Sequence, residues 1–325
     1  MSTVAGPDAV ESRVQVWLRR LRSGDAIAHA ITLIFAASIL FITALLVYEL
    51  WIHSAPSRLK FGWHFFYTST WDPIFGDFGA WTFIYGTLIT TLVSLFIAVP
   101  LGIGAAIFLS ELSPPKLSRG LSFIIDLLAA VPSVIYGMLA LFTLVPLMRT
   151  TIEPFLKRTL GFLPLFKGPA YGVSFLTAGI VLAIMIVPYI ISVSREVLLA
   201  VPQDQREASL GLGATSWETT WKIVVSYAGP GIMGSVFLSM ARALGETMAV
   251  TMVIGNQPKV SASLLSPGYS IAAVIANEFA EAAGDLHLSS LIELGLVLLA
   301  LTLVLNGLAR LLIIATSRRG AGATR

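Results

Sequence analysis

Two charged residues, Arg242 and Glu246, stand four positions apart in the run ARALGETMAVTMVIGN, within a stretch of apolar residues long enough to cross a bilayer. Charges at that depth are expensive, so they face a protein interior or water and need a partner. Spacing of i,i+4 puts the two on one face of a helix, within reach of each other. Two chemistries fit. The pair could be a structural clasp, or the arginine could contact a permeating anion while the carboxylate balances its charge in the empty state. A planar, permanently charged guanidinium suits bidentate contact with phosphate-like oxygens, where lysine offers a point charge. A function is the default for ionisable groups inside a membrane.

A second constellation lies upstream, in VPQDQREASLGLGATSWETTWKIVVSYAGPG (201–231). Pro202 and Asp204 suit a helix start, Glu207, Ala208 and Ser209 continue it, and Gly211 and Gly213 can end it sharply. Thr215 and Glu218 have capping-box spacing, and Trp217 and Trp221 sit one turn apart on the following helix. The spacing predicts a short helix, a hard bend and an interfacial helix re-entering the membrane. Such an elbow either docks into a partner's groove or merely connects two spans. Other acids are weaker candidates. Asp126, about two turns inside the third apolar run, either pairs with a cation from a neighbouring helix or snorkels to the surface. Glu278 and Glu281, in a loop on the other side, serve either docking or solvation. Glu293 reads as structural.

The elements that must position these residues follow from composition. The chain has 325 residues, 56% of them hydrophobic and 12% charged, with a mean hydropathy of +0.84, values far from soluble averages. Apolar runs near 26–52, 83–109, 120–147, 172–200, 227–254 and 287–315 are each long enough to span, so the fold is an all-α polytopic membrane protein of six transmembrane helices. The first run is too long for a signal peptide and reads as an uncleaved anchor. Thirteen lysines and arginines fall on one side against seven on the other, which puts both termini in the cytoplasm. Four cations, Arg149, Lys157, Arg158 and Lys167, gather in an outer loop at 148–171, either simply solvated or drawing in an anion. Pro100, Pro132 and Pro188 predict kinks.

Several functions are excluded. A net charge of +3 without a basic patch interleaved with aromatics gives no nucleic-acid partner. Without cysteine, and with His29, His53, His64 and His287 far apart, neither a metal nor a redox cofactor has ligands. No G-x-x-x-x-G-K-[ST] loop is present, so the chain does not itself hold nucleotide in the usual way, and no pattern of a catalytic nucleophile occurs. The chain reads as a passage with a lever and not as an enzyme.

Glu207-Ala208-Ser209, Gly213 and Ile223 at their spacing resemble the EAA loop of permease subunits of binding-protein-dependent ABC importers. Here the isoleucine is followed by Val224-Val225-Ser226, and a proline comes only at Pro230, where the family turns earlier. In that family the loop is a coupling helix seated in a cleft of the ATPase, which makes Glu207, Ala208 and Gly213 the ATPase-contact candidates. ARALGETMAV with IGN, NEFAEA at Asn277 to Ala282, LIELGL at Leu291 to Leu296 and LLAAVPSVIYG at Leu127 to Gly137 together resemble the PstC-type permeases of phosphate-specific transport, over about residues 25–316.

That resemblance implies a type I ABC importer permease (MetI-like) fold in the bacterial inner membrane. It implies a second homologous permease, two copies of an ATP-binding subunit, an external phosphate-binding protein and inorganic phosphate as cargo, with membrane lipid around the helices. Arg242 and Glu246 would lie on the phosphate pathway. The chain then divides into a cytoplasmic arm (1–24), a first helix with its outer loop (25–80), a transmembrane core (81–316) holding the coupling loop (201–226), and a tail (317–325). The rivals are a permease for another oxyanion such as sulfate or molybdate, a secondary transporter or channel, and a scaffold without transport.

Overall fold

The computed structural model describes residues 25–322. The expected arm at 1–24 and the last three residues of the expected tail lie outside them. The chain divides into two units, 1–52 and 53–325. The described part of the first lies in one helix, α1 (Asp25–His53), mostly apolar and long enough to cross a bilayer.

The second unit opens with α2 (Ala55–Phe61) and a 3-10 turn (Gly62–Phe66). A hairpin follows, β1 (Trp71–Asp72) against β2 (Asp77–Phe78), with Trp71 opposite Phe78. Asp72 closes its turn by accepting bonds from the Ile74 and Phe75 amides. This two-residue ladder is a small departure from an all-helical chain. Then come α3 (Trp81–Ile107), which ends in a π turn at Phe108–Leu112, and α4 (Pro115–Ala129). Next, α5 (Ser133–Leu139), α6 (Val145–Leu147) and α7 (Glu153–Leu160) are joined by two further π turns. The rest is α8 (Phe175–Leu199), α9 (Gln203–Gly211), α10 (Ser216–Thr219), α11 (Val225–Leu244), α12 (Met248–Thr251), α13 (Ile271–Glu278) and α14 (Asp285–Gly322).

Among the described residues six stretches are long and apolar enough to span, as expected, and two are displaced. The third runs over Ser133–Leu160 and not 120–147. Pro132 cannot continue a helix from Ala129 and biases Val131 away from helical angles, so α4 becomes a separate amphipathic helix. Arg149, Lys157 and Arg158 therefore ride on helical turns, and of the four expected loop cations Lys167 alone lies in a loop. The fifth runs over Ser216–Leu244 and not 227–254. The re-entering helix continues into it through a π turn at Thr220–Val224, and the helix stops at Gly245.

The core is built around α8, which packs along α3 and is buried on nearly every face. Phe175, Leu182, Ile186 and Ile190 fill its centre, with Ala98 from α3 and Ala249, Val250 and Ile254 from around α12. Close approach along α3 depends on two glycines. A Cβ on Gly102 would lie 2.6 Å from Ile190, and one on Gly179 would lie 2.4 Å from Val93. A second cluster (Phe65, Phe78, Phe83, Leu291, Leu294) lies toward the hairpin end. A third (Ile107, Leu109, Leu198, Val201, Val224) lies toward the elbow.

Candidate functional site: a broken helix and an elbow

Arg242 occupies the last turn of α11, and its side chain is exposed on this subunit. The guanidinium lies over the Tyr189 ring of α8 at 6.0 Å, a cation–π contact that aims the charge. Glu246 is not on the same helix. With Gly245 the helix ends, and the Glu246 carboxylate accepts the Ala249 amide at 3.2 Å, capping the start of α12. Among the described residues no ion pair joins Glu246 to Arg242. The spacing that places two residues on one face holds only while the helix continues.

Beyond α12 the chain runs irregularly to Ile271, yet its backbone is paired. Leu264 bonds to Leu165, and Val253, Leu264 and Ser266 accept the Ser174, Leu176 and Phe175 amides at the start of α8. Irregular backbone at such a place is tolerated when protein satisfies it. The break at 245–247 sits beside the one at 130–132: α12 packs on α5, and Gly137 lies so close to Ala249 and Met252 that a Cβ would meet them at 3.0 and 2.8 Å.

Asp126 falls on α4, before the break, and not inside the third span. It is exposed and accepts the Ser192 hydroxyl at 2.9 Å, which ties α4 to α8. Glu278 is committed within the subunit. It accepts the Trp71 indole at 2.8 Å and meets His287 Nε2 at 3.1 Å, binding the hairpin to α13 and α14. Glu281 is exposed, and with Glu278, Pro73, Phe78, Leu286 and His287 it borders a cavity of about 550 Å³. Nearby, burial pushes the Tyr269 phenol up to about 12, partly relieved by the Asn277 amide that donates to it. Glu293 is buried on α14.

The elbow has the expected parts. Glu207 and Ala208 are exposed on α9. Gly213 has φ +89° and no atom within 4 Å of a hypothetical Cβ, so the position selects glycine by backbone angle and not by space. Thr215 and Glu218 form the reciprocal capping box. Trp217 and Trp221 meet edge to face, 5.7 Å between centroids. At the tip Leu212 is 90% exposed, an apolar side chain offered to whatever covers it.

Several residues of consequence gave little sign of themselves. Tyr189 is one apolar-run aromatic among many. Glu153 is fully buried, accepting the Gly172 amide and the Ser174 hydroxyl, and thereby fixes the start of α8. Arg206 pairs with Glu111, ninety-five positions away. A charge beside Pro154 or ahead of the Glu207 triplet was the available signal.

A bilayer-length bundle with one broken, charge-bearing helix and a capped elbow is the architecture of an ABC importer's membrane subunit. Solved structures share the fold. A chain of a bacterial alginate ABC transporter aligns over 91% of this chain and 96% of its own length (TM-score 0.56, 15% identity). A chain of the inward-facing MetNI methionine ABC transporter covers 76% of this one and 99% of itself (TM-score 0.54, 17% identity). Residues 98–317 match the family described as binding-protein-dependent transport system inner membrane component. The chain belongs to that family and, within it, to the PstC permeases. It is 44% identical to the phosphate transport system permease protein PstC of Mesorhizobium japonicum, covering 96% of both chains. To the protein of the same name from Haemophilus influenzae it is 46% identical, over 92% of this chain and 94% of that one.

Proposed function

We propose that this multi-pass membrane protein is the permease subunit of an ATP-driven importer of inorganic phosphate. The observation that carries the reading is the 44% identity, across 96% of both chains, to a protein named as a phosphate transport permease. The exposed Arg242 supports it: a guanidinium held over Tyr189 at a helix break, turned away from the subunit's own core, suits a pathway completed by a second, homologous permease. Glu246, which caps α12, shapes the break. Asp126, exposed on α4, is a weaker candidate for the same pathway.

Two copies of an ATP-binding subunit supply the energy, one of them gripping Glu207, Ala208 and the turn at Gly213 in the loop 201–226. An external phosphate-binding protein delivers cargo at the hairpin end, where Glu281 remains open to a partner and Glu278 is occupied by its own neighbours. The protein lies in the bacterial inner membrane with both termini in the cytoplasm. ATP binding favours one arrangement of the elbow and the loaded binding protein favours another, and transport is the alternation between them. ATP hydrolysis itself resides on the ATP-binding subunits.

The test is uptake of labelled phosphate and sulfate by cells that lack their own phosphate system and express this chain with its partner subunits. Phosphate uptake is expected, abolished when the ATP-binding subunit is omitted. Entry of sulfate in place of phosphate overturns the cargo, and uptake without the ATP-binding subunit overturns the coupling.

A further inference from the structure

Arg206 stands one residue before Glu207, yet it is turned inward while Glu207 is exposed. Its side chain is 15% exposed and that of Glu111 is 11% exposed. Nη2 donates to Glu111 Oε1 at 2.9 Å and Nε to Oε2 at 3.4 Å, a two-pronged contact. Nη1 donates to the Val201 carbonyl at 2.7 Å, and Nη2 also to the Leu198 carbonyl at 2.9 Å. One guanidinium thus joins three elements: α9, the last turn of α8, and the π turn that closes α3. A planar fork fixes angle as well as distance, which a point charge cannot do. One turn further along the same inward face, the Ser209 and Thr219 hydroxyls lie 2.9 Å apart, so the short helix is held at two points.

From this geometry we infer that the Arg206–Glu111 pair is the tie through which a displacement of α9 is delivered to α3 and α8. Without it α9 can pivot on the non-helical residues 200–202, and a push on its tip is absorbed in the loop. With it the push reaches the π turn at Phe108–Leu112, where the i→i+5 bonding pattern is less regular than that of the helix it closes. Arg206 and Glu111 are positioning residues for the transport cycle, acting through α9 and not by contact with cargo. The inference rests on the function proposed above.

The experiment uses the full complex in liposomes, with its permease partner, ATP-binding subunits and a binding protein loaded with inorganic phosphate. Glu111→Gln removes the charge while leaving Arg206 its two carbonyl bonds. All subunits are expected to co-purify and basal ATP hydrolysis to persist, while phosphate imported per ATP falls about tenfold. Because this chain has no cysteine, Glu111→Cys with Arg206→Cys can be bridged by a short bifunctional thiol reagent. Bridging is expected to restore the ratio, and the unbridged pair is not. An unchanged ratio in Glu111→Gln beside a working native complex overturns the inference alone. So does loss of the ATP-binding subunit from that variant, or a deficit that bridging leaves in place. A native complex from which ATP-binding subunits are absent overturns the functional reading, and the inference with it.

Discussion

The elbow around α9 and the break at the end of α11 solve opposite problems. At the elbow Arg206 is engaged by Glu111 and Glu218 by Thr215 and Lys222, while the apolar tip, Leu212, and the acid Glu207 are left exposed. At the break Ala243, Leu244, Ala249 and Val250 are buried, and the charge of Arg242 is left outside the core. A partner that stays bound is best gripped through desolvated apolar contact. A cargo that must leave is better met by an exposed charge, since a fully desolvated one would hold it. On the proposed function, the difference separates a surface to be held from one to be passed.

That contrast can be broken most directly at Arg242. Arg242→Gln is expected to cut phosphate uptake about tenfold to a hundredfold, the loss of a charge-assisted contact, with insertion and subunit assembly intact. Adding Glu246→Gln is expected to give no recovery, because Glu246 caps α12 and no ion pair is there to be relieved. Recovery of uptake in the double variant would show that the pair is a clasp and erase the contrast. At the elbow, Gly213→Ala forces a side chain into positive φ, at a local cost of about 1–2 kcal/mol. Weaker retention of the ATP-binding subunit on purification, with phosphate-pathway residues untouched, is the readout. The smallest effect belongs to the two caps. Thr215→Ala and Glu246→Ala should each lower stability by about 1 kcal/mol, seen as a lower thermal midpoint. Glu246→Gln, which keeps a carbonyl acceptor for the Ala249 amide, should lower it less.

Local chemistry was legible and distant chemistry was not. The capping box at Thr215 and Glu218, the sharp end at Gly213 and the number of spans depend on residues within a few positions of one another, and the sequence carries those relations openly. The displaced third span shows where hydropathy misleads. Residues 120–147 are apolar on average, yet Pro132 divides them, and the amphipathic half before it, which carries Asp126, becomes a separate helix. The Arg242–Glu246 relation failed for a similar reason, since Gly245 ends the helix between them. Glu278 reads from sequence as a docking or a solvated acid, because its partners come from afar, Trp71 from a hairpin two residues deep that no periodicity announces and His287 from α14. Arg206 with Glu111, and Glu153 with Gly172, are contacts made by folding across long separations, invisible to spacing.

The glycines that let α3 and α8 lie against each other have a mechanical result. Two rods touching backbone to side chain at two levels, Gly179 beside Val93 and Gly102 beside Ile190, have little room to slide past each other between those contacts. A push that tilts one of them is therefore expected to carry the other along, so that over this stretch the two helices respond as a pair.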